Sequence, residues 1–255
     1  MLDNQGYGGR TLRVHGGPLA GLAGQLLLLL LLAETVGLGA AGWLAGTACG
    51  LTLTVLLVRG LRRNGCTRLG PANSVTLLRA VLVGGVAALV AEAFPATPPE
   101  AVAVPLAAVA LVLDGVDGRV ARGTGTVSAP GARFDMEVDA FLILLLGVPV
   151  ALVLGPWVLA LGAARYLFVA AGWLLPWMRA ALPARPWRKV VAAIQGVALT
   201  LALADLLPRP VALILVGVAL ALLTESFGRD VLWLHHRRPR RGRAVGVADE
   251  GPSQS

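Results

Sequence analysis

Long, continuously apolar runs, separated by short polar or proline-rich breaks, recur along most of the chain. Most are close to the about 18 residues that a helix needs to cross bilayer hydrocarbon. They predict helices over 17–33, 40–58, 73–94, 101–122, 133–154 and 157–177, a seventh reaching 207, and an eighth ending near 234. The breaks carry turn chemistry: 34–39, the prolines Pro95, Pro98 and Pro99, the loop 123–130, Gly155-Pro156, and Pro208 with Pro210. No run alternates apolar and polar with period two, so helices are expected rather than a barrel. The expected fold is an all-α, polytopic membrane bundle of about eight transmembrane helices.

Charge tests that count. The 255 residues are 56% hydrophobic and only 14% charged, against about 25% charged in a soluble domain. The net charge of +8 is unevenly placed. Lys and Arg gather in the loops after the second, fourth and sixth spans and near both ends. The opposite loops hold Glu34, Glu92, Glu100 and Asp205, with Arg209 as the one clear basic residue. Eight spans with both termini in the cytoplasm of a cell membrane satisfy the positive-inside rule at every loop. Aromatics are 5% and are not interleaved with basic stretches, so nucleic acid is not an expected partner. Anionic membrane lipids account better for the arginines.

Other chemistry is thin. Cys49 falls in an apolar span and Cys66 in a basic connector, with neither metal-ligand spacing nor a disulfide framework. His235 and His236 read as solvated residues of a basic tail. Residues 1–16 are polar and Gly-rich, are expected to be disordered, and lead into no cleavable signal pattern.

The informative stretch is 113–140. Ionised aspartates cost several kcal/mol inside a membrane helix unless paired or solvated, yet four of the chain's 14 acidic residues stand here. Asp114 and Asp117 are three apart, and Asp135 and Asp139 four apart, so each pair shares a helix face. A short loop makes the two helices antiparallel neighbours, and the four carboxylates converge at one depth. Unneutralised, they would repel one another. Divalent cations resolve that conflict, and carboxylate ligation favours Mg2+ or Mn2+. Gly115 and Gly118 interrupt a helical run, which fits close approach by a ligand or a neighbouring helix. Arg122 offers a cation to phosphate, and Gly131 could admit a ligand against the backbone. Any one of these aspartates could be a solvated helix cap; the full spaced set is not explained that way.

This run resembles the signature of the CDP-alcohol phosphatidyltransferase family, D-x-x-D-G-x-x-A-R-x8-G-x3-D-x3-D. It matches at Asp114, Asp117, Gly118, Ala121, Arg122, Gly131, Asp135 and Asp139. Upstream, the stretch from Pro71 through Asn73 and Thr76 to Arg79 is similar to the family's P-x-N-x-x-T-x-x-R. Arg188-Lys189 followed by Gln195 is similar to a basic residue and glutamine of several members. The resemblance implies a six-helix core at 70–234. Outside it lie the disordered 1–16, an extra hairpin and connector at 17–69, and a basic cytoplasmic tail at 235–255. It also implies transfer of a phosphatidyl group from a CDP-lipid to an alcohol, with release of CMP, in phospholipid biosynthesis. Asp114, Asp117, Asp135 and Asp139 would hold two metal ions at the cytoplasmic face. Asp117, Gly118, Ala121, Arg122 and Gly131 would line the CDP pocket, and Asp139 would act as general base. A homodimer is implied as well.

Arg165 lies far inside the sixth span, where an arginine is either functional or held in a structural ion pair. With Arg133, Arg188 and Lys189, and with Arg122, Arg179 and Arg185 nearby, it is a candidate for binding a phosphorylated acceptor. Tyr166 stands where the glycerophosphate-accepting branch often has an acidic residue, which argues against that branch. An intramembrane prenyltransferase also pairs aspartates with magnesium, but its motifs stand two or more helices apart. An ion-coupled transporter predicts a path through the midplane and repeated halves, and no repeat is visible. A catalytically dead homologue fits poorly with an intact signature.

Overall fold

Apolar segments in a bilayer must satisfy their backbone groups internally, and the helix does this within one segment. The computed structural model describes residues 8–63, 71–124, 129–179 and 186–236. At 8–16, 60–63, 71–73, 117–124, 129–133, 176, 179 and 186 it describes the course of the backbone alone. Among the described residues there are eight α-helices and no strand. They are α1 (Gly8–Val36), α2 (Ala40–Arg63), α3 (Pro71–Ala93), α4 (Glu100–Thr124), α5 (Ala129–Leu154), α6 (Leu159–Leu174), α7 (Pro186–Leu203) and α8 (Arg209–His236). Short 3-10 turns, Pro156–Val158 and Pro176–Arg179, bracket α6.

Six of these helices are long and apolar enough to cross a membrane: α1, α2, α3, α5, α6 with its leading turn, and α8. The other two, α4 and α7, are those that carry Asp114 and the Arg188-Lys189 pair. The chain is thus a polytopic helical bundle. Its hub is α3, which packs against α1, α2, α4 and α5. In α3, 61% of the spanning window is buried, against 22% in α1 and in α6, which face outward along most of their length. Val83, Val86 and Ala88 of α3 are fully buried.

The two ends of the bundle are pinned differently. At the end away from the aspartates, the Glu92 carboxylate of α3 accepts a hydrogen bond from the Gly42 N–H at 2.9 Å. That caps the start of α2, where free N–H groups and the helix dipole favour an anion. Arg209, the basic exception at this end, donates to the Val153 carbonyl in the last turn of α5 at 3.3 Å, which complements a helix C-terminus. Gly155 has φ 111°, the left-handed conformation expected of its Gly-Pro turn.

Three expectations are corrected. Helix α1 begins at Gly8, so 8–16 are helical rather than disordered; once a long apolar helix is nucleated, each further residue adds a bond at modest cost. Helix α5 begins at Ala129, which leaves 125–128, outside the described residues, between α4 and α5 in place of an eight-residue loop. His235 and His236 belong to the last turn of α8, not to a tail. His236 Nδ1 lies 2.7 Å from the Leu232 carbonyl, and the His235 ring meets Trp177 edge-on at 5.7 Å. Cys66 and the basic run from 237 onward lie outside the described residues.

Gly162 holds α6 against α5. A Cβ there would fall on the Leu144 backbone and 2.8 Å from the Leu144 Cβ, and Gly162 itself is buried. Gly162→Val is expected to destabilise the protein by about 1–3 kcal/mol, the usual cost of overpacking. Thermal unfolding in detergent should show a lowered midpoint; an unchanged midpoint would mean that the two helices do not touch there.

Candidate active site

Three helices of the bundle deliver charged side chains to one place. Helix α3 brings Arg79, α4 brings Asp114, and α5 brings Asp135 and Asp139 one turn apart on a single face. Arg79 is fully buried, Asp135 is buried, and Asp114 and Asp139 are half-buried. The guanidinium is shared among all three acids. Nη1 donates to Asp135 Oδ1 and lies 3.0 Å from Asp114 Oδ1, while Nη2 donates to Asp139 Oδ1. A buried guanidinium is tolerable only when paired, and buried carboxylates only when their charge is compensated. Each therefore accounts for the other's presence in an otherwise apolar bundle.

One carboxylate oxygen from each of Asp114, Asp135 and Asp139 lies within 4.8 Å of the others. Three hard oxygen donors at that spacing suit Mg2+ or Mn2+, which take carboxylates and water and need no nitrogen or sulfur. The donor set fits the implied ions. The side chains of Asp117, Gly118, Ala121, Arg122, Gly131 and Arg133 lie outside the described residues. Their backbone places the first four on α4 beyond Asp114 and the last two on α5 just before Asp135.

Gly115 is informative because of what it does not touch. A Cβ built there would meet nothing within 4 Å. Among the described residues, close packing by a neighbouring helix, one of the two reasons for a glycine here, does not apply at this position. The space beside it is open.

The basic residues divide. Lys189, largely exposed at the start of α7, has its Nζ 4.0 Å from Asp135 Oδ2 and so borders the acidic centre. Arg188 turns instead to α8, where its Nε and Nη2 each lie 2.8 Å from an oxygen of the buried Asp230. That bidentate pair, with Trp187 donating to Glu225 at 3.2 Å, ties α7 to α8 beside the site. Gln195, on the same face of α7 as Arg188, is also buried. Arg165 pairs with Glu137. Successive helical residues turn by about 100°, so Glu137 points away from the face of α5 that carries Asp135 and Asp139. Glu137 and Tyr166 line a largely apolar cavity of about 690 Å³ between α2, α3, α5 and α6. The structure thus brings Lys189 to the aspartates and sets Arg165 on the far side of α5.

The residue that sequence reasoning missed is Arg79. Its signal was present, since it ends the upstream P-x-N-x-x-T-x-x-R stretch, but nothing local shows that it reaches carboxylates 56 and 60 positions away.

No curated protein and no solved structure shows a significant match to the chain. A family model described as CDP-alcohol phosphatidyltransferase matches residues 70–224, from the connector before α3 into α8.

Proposed function

The chain belongs to the CDP-alcohol phosphatidyltransferase family, and on that premise we propose that it transfers a phosphatidyl group from CDP-diacylglycerol to an alcohol hydroxyl, releasing CMP. The observation that carries this reading is the convergence of Asp114, Asp135 and Asp139 on one point of the bundle. Together with Asp117 they would hold two Mg2+ or Mn2+ ions. Such ions, when bound, neutralise the diphosphate and stabilise the departing CMP.

The remaining steps fall to the protein. Asp117, Gly118, Ala121, Arg122 and Gly131 would receive the CDP moiety. Asp139 is held through Oδ1 by Arg79, which leaves Oδ2 to take the acceptor's proton. As the hydroxyl oxygen forms its bond to the lipid-side phosphorus, the bond from that phosphorus to the bridging diphosphate oxygen breaks. The phosphatidyl ester and CMP result, and the proton resides on Asp139. The clustering of Lys and Arg at this end of the bundle supports a cytoplasmic site, with both termini on that side. Lys189, beside Asp135, is the cation best placed for a phosphorylated acceptor. Arg133 remains a candidate from its position before Asp135, with Arg188 one residue from Lys189.

The test is a screen of the purified enzyme with CDP-diacylglycerol against glycerol phosphate, inositol phosphate, serine and unphosphorylated alcohols, scored by CMP release. A phosphorylated acceptor should give the fastest release. Activity confined to unphosphorylated alcohols would remove the role given to Lys189, and no CMP release with any acceptor would count against the transferase reading.

A further inference from the structure

Arg79 does more than neutralise a buried charge. Its guanidinium engages the Oδ1 atom of each of Asp114, Asp135 and Asp139, while Lys189 Nζ lies 4.0 Å from Asp135 Oδ2. It is fully enclosed, and Ala80 and Val83 beside it on α3 are buried. A rigid fork of donors on a packed helix can hold carboxylates from two other helices at fixed separations; a flexible ammonium cannot. We propose that Arg79 is the built-in counter-ion of the acidic centre: it keeps the carboxylates assembled when no metal is bound, and it lowers their affinity for the metal that binds.

The inference rests on the reading that these aspartates hold divalent ions. Both parts follow from charge. Three carboxylates against one buried guanidinium, with the exposed Lys189 ammonium 4.0 Å from Asp135, leave the centre net negative, enough to attract a divalent ion. That ion must nevertheless sit within a few ångströms of a fixed positive charge. At such separations one unit charge changes a cation's affinity by about tenfold or more, even at the moderate effective dielectric of a protein. Without Arg79 the three carboxylates lose the cation they share, so the metal-free bundle is destabilised and the ion binds more tightly. Expelling Arg79 on metal binding would strand a fully buried guanidinium away from its carboxylates, which is the costlier outcome.

The experiment measures Mn2+ binding to the purified protein by electron paramagnetic resonance, and thermal unfolding with and without Mn2+. It compares wild type, Arg79→Gln, Arg79→Lys and Asp135→Asn. Arg79→Gln should bind Mn2+ about tenfold or more tightly than wild type. Its metal-free unfolding midpoint should fall, and Mn2+ should raise that midpoint by more than it does in wild type. Arg79→Lys, which keeps the charge, should stay within about threefold of wild-type affinity. Equal or weaker Mn2+ binding by Arg79→Gln overturns the proposal. So does failure of that variant to fold in Mn2+ as well as without it, which would make the arginine a packing element. Folding only in the presence of Mn2+ supports it. If wild type binds no Mn2+, or if Asp135→Asn binds it as wild type does, the metal reading itself has failed rather than the role of Arg79.

Discussion

The Asp139→Asn enzyme should retain its CDP-lipid and lose turnover by about 10²–10⁴-fold, the range that a positioned general base contributes. The substitution is nearly isosteric. An asparagine Oδ1 still accepts from Arg79 Nη2, so the geometry around the guanidinium survives. The carboxamide nitrogen that replaces Oδ2 has no lone pair for the acceptor's proton. Binding and chemistry should therefore separate: donor affinity, read by equilibrium binding of a CDP-lipid, stays near wild type while the rate of CMP release falls. Full activity in this variant would refute the base role and move attention to another group near the acceptor. Loss of donor binding together with activity would instead mark Asp139 as chiefly a metal or structural residue.

Chelation of divalent metal is expected to have an effect of comparable size. The diphosphate of the donor brings negative charge toward Asp114, Asp135 and Asp139, and Arg79 supplies only one compensating charge there. Removing a clamp on a transferring phosphoryl group costs about 10²–10³-fold or more in rate. EDTA should stop CMP release, and added Mg2+ or Mn2+ should restore it. CMP release that persists in chelator would contradict the metal assignment. It would leave Arg79, Lys189 and Arg122 as the cations available to the phosphates.

Much of the architecture was legible because membrane helices are written in the chain at nearly one residue per unit of meaning. Hydropathy marks the apolar body of each helix, though not the first turns of α1 and α5, and proline and glycine mark the turns, as Gly155-Pro156 shows. The aspartates were legible for a related reason: their spacing of three and four residues is the helix repeat, so a shared face follows from counting. Contacts between distant helices were not legible. Arg79 stands 35 positions before Asp114 by the numbering, and only the packing of α3 against α4 and α5 reveals the link. Arg165 illustrates the converse. An arginine deep in a span reads as a candidate for the site, yet it meets Glu137, which sequence proximity would place with Asp135 and Asp139 and helical rotation places opposite them. The start of α1 was obscured because Gly16, Gly17 and Pro18 carry local stop signals that a long apolar helix overrides.

The hairpin of α1 and α2 lies outside the matched segment, and it covers one flank of α3 while α2 also reaches α5. Glu92 fastens its turn at the distant end. On that side α1 and α2 lie next to each other directly against α3. Helix α4, which also packs on α3, shows Val109, Val112 and Val116 to the surroundings, with bare backbone at Gly115 beside Asp114. The added hairpin thereby makes the surroundings of α3 unequal: two helices cover it on the α1–α2 side, while α4 leaves backbone bare next to Asp114.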